Sequence, residues 1–227
     1  MAIRALGTTI QHLTAYNTGG TPDLIGALSS IGEVSLDSDE IDVTTLDSTG
    51  GYREFLQGFK DSGEISCSGY HDGSAAQGVV RTLYGSGASG YWWITFPDKT
   101  AVIFTAYVKG YQAGAFEVDG AVGFGLTLRI TGLVQIITIK EAVDQTKAGG
   151  QTATLDSTAT ALTGTPTYQW YSNEENNYTT PTIVEGETSA TYTTGALSEG
   201  TYYYFCVVSV TGYRAINSQI HVITVTA

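Results

Sequence analysis

Between Ile31 and Asp72, two β-rich segments flank a polar, glycine-containing excursion whose tip reads Tyr52-Arg53-Glu54-Phe55-Leu56. No other feature restricts the fold as much. A self-contained domain gains nothing from holding two large apolar side chains and a charge pair out in water. A chain that buries them against a neighbouring copy does gain. The rest of the sequence is built for strands: its 227 residues include 28 Gly and 15 Tyr but only 4 Pro, and charged residues make up 14%. With abundant Ser and Thr, this mix favours short strands divided by turns over helices.

The length allows one large β domain or two smaller ones. Strands are expected at residues 8–15, 31–36, 40–45, 63–69, 91–96, 101–111 and 121–131. Residues 74–84 place Ala76, Val80, Leu83 and Tyr84 at helical spacing, with Asp72 or Ser74 as cap and Gly85 as stop. The stretch LTLRITGLV alternates apolar and polar residues as a half-buried strand does, and the KEAVDQTKAGGQT that follows is polar and glycine-bearing. The change sets a boundary near residue 137 and two domains, 1–137 and 138–227. In the second, Trp170 sits in TYQWYS and Tyr204 stands two residues before Cys206. That is the spacing of an immunoglobulin-like β sandwich with a tyrosine corner at Tyr204. The second-strand region 152–161 lacks the partner cysteine, and Leu155 is the candidate for its core place.

Several chemistries are excluded by context. Gly85, Gly87 and Gly90 match a dinucleotide fingerprint, but a helix precedes them and a strand follows, the reverse of the required order. Asp37, Asp39 and Asp42 are too few and too close for a calcium loop with its central Gly and distal Glu. His12, His71 and His221 are isolated, so no metal or other cofactor is expected, and no nucleophile or acid/base pair suggests an enzyme. Alternation along Tyr202-Tyr203-Tyr204-Phe205 divides the four rings between core and outer face, which accounts for them without a ligand. Cys67 and Cys206 fall in different domains and are expected as buried thiols. The first residues lack the apolar run of a secretory signal, which implies synthesis in a cytoplasm. No run of apolar residues reaches the length of a membrane helix. A net charge of −12 opposes phosphate-directed nucleic-acid binding.

Over roughly residues 1–135 the chain resembles the tail tube proteins of long-tailed bacteriophages. The resemblance lies in the strand at 40–45, the loop L-D-S-T-G-G-Y-R-E-F-L-Q-G at 46–58 and the strand at 63–69. It implies an N-terminal β sandwich or barrel-like domain with one flanking α-helix and a long loop, so the whole chain reads as mainly β. It also implies a virion structural protein that polymerises as stacked, hexameric rings into a conduit for DNA ejection. The implied partners are other copies of itself, the tape measure, the tail terminator and the tail tip, while DNA passes through without specific binding. Tyr52, Arg53, Glu54, Phe55 and Leu56 are then expected at ring contacts, and Glu33, Asp37, Asp39 and Asp42 in the lumen. The C-terminal domain is expected to decorate the outer surface, with a host cell-surface glycan as its candidate ligand, and to be dispensable for assembly. A capsid decoration protein and a bacterial surface glycan-binding or adhesin module are the alternative readings.

Overall fold

The computed structural model describes residues 6–13, 22–114 and 120–227. Positions 14 and 15 of the first expected strand lie outside them. The N-terminal strands are β1 (Thr9–Leu13), β2 (Asp23–Ile25), β3 (Leu28–Ile31), β4 (Asp37–Asp42), β5 (Phe55–Asp61) and β6 (Glu64–Tyr70). Helix α1 (Ala75–Ser86) follows, then β7 (Ser89–Thr95), β8 (Ala101–Ala113), β9 (Gly123–Ile130) and β10 (Gln135–Ile139). The remainder supplies β11 (Gln145–Ala148), β12 (Thr154–Asp156), β13 (Ala159–Ala161), β14 (Thr167–Asn173) and β15 (Thr182–Ile183). It ends with β16 (Thr191–Thr193), β17 (Gly200–Ser209), β18 (Ile216–Asn217) and β19 (His221–Thr226). The fold is mainly β, as the composition requires.

The main sheet runs β2-β1-β7-β8-β9-β6-β3. Alternation gives it an apolar and a polar face. Ile65, Trp92, Ile94, Phe104, Leu126 and Leu128 turn to a core that also receives Ile10 and Ile25 from one edge and Leu28 and Ile31 from the other. Residues from both edges meet in one core because the sheet curls, and Val80 and Leu83 of α1 pack into the curl. The Ser74 hydroxyl accepts from the Gln77 amide to cap α1, and Gly87, at φ 66°, closes it. The stop is therefore Gly87 rather than Gly85, since only at 87 does the backbone turn left-handed.

Glycine is required where β6 crosses β3. A Cβ on Gly69 would lie 2.2 Å from the Ala27 carbonyl oxygen and 2.7 Å from the Leu28 Cα. Both are backbone atoms, so relief needs a shift of the β3–β6 pairing. Gly69→Ala is expected to destabilise the protein by about 3 kcal/mol, as other overpacked interiors do, and a thermal melt measures it.

The second domain is tied into this sheet. Strand β10 pairs with β8 (Ile137 opposite Ala101) and also with β13 (Ile137 opposite Ala161). Gln135 is fully buried and clamps Thr163, donating to its carbonyl at 2.6 Å and accepting from its amide at 3.0 Å. Trp93, Ala101 and Ile103, on the sheet face away from α1, join Ile137, Leu155, Trp170, Cys206 and Ile223 in one apolar cluster. Lys99 adds a further tie. It lies in the β7–β8 turn at φ 68°, unusual for a residue with a side chain, and its ammonium sits 5.0 Å from the centroid of the Tyr178 ring.

Beyond that cluster the second domain has its own sheet, β11-β19-β17-β14-β15, with β18 beside β17 and the pair β12–β16 apart from it. Trp170 is buried and stands opposite Cys206 in register, and Leu155 fills the core place anticipated for it. Tyr204 packs against Tyr192, whereas the hydroxyl that donates to an upstream carbonyl belongs to Tyr202, reaching Ser198 at 3.1 Å. The corner bond expected at Tyr204 is thus made one alternation earlier. Cys67 and Cys206 are free and buried, and burial pushes their thiols up to about 11 and about 12. Both stay protonated and inert at neutral pH.

His221 lies in this core, 5.5 Å from Trp170, with its Nε2 3.0 Å from the Ser157 hydroxyl. Burial lowers its pKa to about 4, against the pull of Asp144 and Asp156. The unfolded chain binds this proton near pH 6.5 and the folded chain does not, so stability is full above 6.5 and falls toward pH 4. The expected loss is up to about 3 kcal/mol. Melting curves between pH 7.5 and 4.5 test it, and His221→Gln is expected to flatten the pH dependence.

Candidate assembly interface

Strands β4 and β5 form a two-stranded sheet separate from the main one, inserted between β3 and β6. Asp37 pairs with Asp61, Ile41 with Leu56, and Asp42 with Phe55. Phe55 and Leu56 therefore belong to a strand, not to a loop as the glycine pattern suggested. The cross-strand pairing runs from Asp37 opposite Asp61 to Asp42 opposite Phe55, with an irregularity between Ser38 and Glu40. As adjacent strand residues, Phe55 and Leu56 face opposite sides of the hairpin.

The connection between the strands is ordered by its own hydrogen bonds. The Val43 amide donates to Glu54 O at 2.9 Å, the Glu54 amide to Thr44 Oγ1 at 2.9 Å, and the Thr45 amide to Ser48 Oγ at 3.0 Å. Gly50 and Gly51, at φ 69° and 72°, supply the left-handed turn. Part of the conformational entropy that ordering removes has thus been lost before any partner arrives. Arg53 reaches Asp42 at 3.9 Å, but both are largely exposed, so the pair adds little stability.

Exposure is the main property of the hairpin. Seven of the fifteen large apolar side chains exposed among the described residues lie between positions 36 and 59: Leu36, Ile41, Leu46, Tyr52, Phe55, Leu56 and Phe59. Tyr52 is 78% exposed, Phe55 49%, Leu56 59% and Phe59 88%. The five residues expected at a contact are together, and Ile41 and Phe59 belong with them although the sequence reading passed over both. The available signal for Ile41 was its place as the one apolar residue in the acidic stretch DSDEID. An isolated hairpin with two wet apolar faces is marginal alone.

The expected lumen carboxylates also fall here. Asp37, Asp39 and Asp42 are exposed on β4, and Glu33 is exposed just beyond β3, where the strand expected to reach residue 36 has already ended at Ile31. The polar face of the main sheet has a different character. Ser66 and Thr127 hydroxyls lie 3.4 Å apart, and those of Ser30 and Ser68 2.7 Å apart. Its charges are matched: Arg129 donates to Asp61 at 2.7 Å, and Glu64 pairs with Lys109. The Gly63 amide first, and then Arg129, hold the Asp61 carboxyl below its usual range. No group of acidic, His or Cys side chains among the described residues could hold a metal ion. No helix there is long and apolar enough to cross a membrane.

No curated protein matches the chain. Residues 26–136 match the family described as phage tail tube protein, and residues 138–227 match a domain family of unknown function. Among solved structures, a chain from the tail of an empty GTA particle, computed with helical refinement and C6 symmetry, is 22% identical with a TM-score of 0.50. The match covers 59% of this chain and 97% of that one. A chain of the SPP1 tail tube is 20% identical with a TM-score of 0.45, over 58% of this chain and 77% of that one. Over residues 26–136, then, this chain is similar to the family described as phage tail tube protein.

Proposed function

We propose that copies of this chain assemble into stacked rings, six to a ring, that form the tail tube through which DNA is ejected. The observation that carries the reading is the projecting β4–β5 hairpin with its two uncovered apolar faces. Stacking buries Phe55 and Leu56 on opposite sides of each hairpin, while Arg53 and Glu54 at the rim set the register. The tape measure, tail terminator and tail tip cap or fill the same tube.

In this arrangement the second domain, attached over β7 and β8, projects outward, and the hydroxyl-bearing stretch of β6 and β9, on the same face of the sheet, turns outward with it. Glu33, Asp37, Asp39 and Asp42 then make an acidic collar along the lumen at each ring. Residues 1–137 hold 7 basic and 14 acidic side chains, net −7, so a six-fold ring carries −42 in this part. Duplex DNA, with about one charge per 1.7 Å of axis, finds no phosphate-neutralising contacts on such a surface and slides. Buried Trp170 beside Cys206 supports an immunoglobulin-like reading of the second domain, without the inter-sheet disulfide. That domain serves decoration and weak host-surface attachment, where many copies on one particle multiply a poor affinity.

Sedimentation velocity over a rising concentration series tests assembly. The reading expects a jump from monomer to very large species, whereas a monomer at every concentration contradicts it.

A further inference from the structure

Where the second domain meets the sheet it leaves a cleft of about 1000 Å³, bordered by β7, β8 and the segment from Ser209 to Ala215. Its described lining contains no carboxylate, although the chain carries 22 acidic residues against 10 basic ones. One cation stands there. The Arg214 guanidinium lies 4.9 Å from the centroid of the Trp93 ring and has no carboxylate within ion-pair distance among the described residues. The platform beneath it is fixed, because the Trp93 indole is buried and donates to Gln11 Oε1 at 2.7 Å. An arginine stacked on an aromatic ring keeps its planar fork of donors in one orientation.

Hydroxyls complete the wall. Thr131 donates to Thr105 O at 3.3 Å and Thr167 to Ser209 O at 3.1 Å. With their protons so engaged, both oxygens present lone pairs to an incoming donor. The cleft is of the size of small-ligand sites. We infer that it binds an anionic saccharide, whose carboxylate or phosphate sits on Arg214 and whose hydroxyls meet the threonine oxygens. The inference rests on the outward placement of the second domain.

Isothermal titration calorimetry of the full chain tests it with three probes: oligogalacturonate for a carboxylated sugar, a glycerol phosphate oligomer for a phosphorylated polyol, and maltohexaose as the neutral control. Binding of either anionic probe, weakening as salt rises, is expected. Arg214→Ala is expected to reduce affinity about ten- to hundred-fold, Arg214→Lys to retain part of it, and Ala215→Trp to block the cleft. Equal binding of maltohexaose, silence from both anionic probes, or undiminished binding by Arg214→Ala would overturn the inference. Tube formation in the same samples separates the two readings. All three variants should still assemble, and a wild-type chain that binds but never assembles removes the tail reading and leaves the cleft standing.

Discussion

Phe55→Asp combined with Leu56→Asp is expected to give a folded, soluble subunit that forms no tubes. Neither side chain belongs to a core cluster, and each is about half exposed, so the monomer loses little. Because the two point to opposite faces of the hairpin, one double mutant places a carboxylate in both of its contacts. Covering the remaining half of a Phe and a Leu contributes about 1 kcal/mol each. Burying two unpaired carboxylates instead costs several kcal/mol more. That penalty recurs at every subunit, so the polymer fails outright instead of weakening. Circular dichroism and melting temperature should match wild type, while electron microscopy shows no tubes. Tubes from the double mutant would remove the hairpin from the assembly contact.

The second large effect is expected from truncation. A chain ending at Ile137 uncovers Trp93, Ala101, Ile103 and Ile137, which are at most 5% exposed in the whole protein. It also cuts β10 in mid-strand and removes Thr163, the partner of Gln135. Four side chains returned to water cost about 5 kcal/mol, comparable to the whole stability of a typical domain. The truncated chain should therefore accumulate as aggregate, against the view from sequence that this domain is dispensable. Adding Trp93→Lys and Ile103→Lys should restore some solubility, because both residues face outward from the sheet. A monodisperse 1–137 chain that melts like the parent and makes tubes would show that the shared cluster is not needed.

Local patterns in the sequence carried much of this architecture. Alternation in LTLRIT located β9, helical spacing with Ser74 and the nearby glycines located α1, and Leu155 does enter the core cluster that holds Cys206. What escaped was long-range. Nothing local to TTLDSTGG says that Phe55 will find Asp42 across a hairpin, because cross-strand pairing depends on residues thirteen positions apart. Nor could alternation at Trp92-Trp93 say which of the two rings another domain would cover. The carboxylates of β4 were legible as a charged strand, but the sequence could not show that this strand leaves the main sheet, since sheet membership is settled by pairing energies summed over distant segments.

The central claim is that identical copies cover one another's hairpins, and negative-stain electron microscopy of the purified full-length chain at high concentration tests it most directly. The account predicts hollow tubes of uniform diameter. A field of single particles at the highest attainable concentration, with Tyr52, Phe55 and Leu56 as reactive to hydroxyl-radical labelling as in dilute solution, would contradict it.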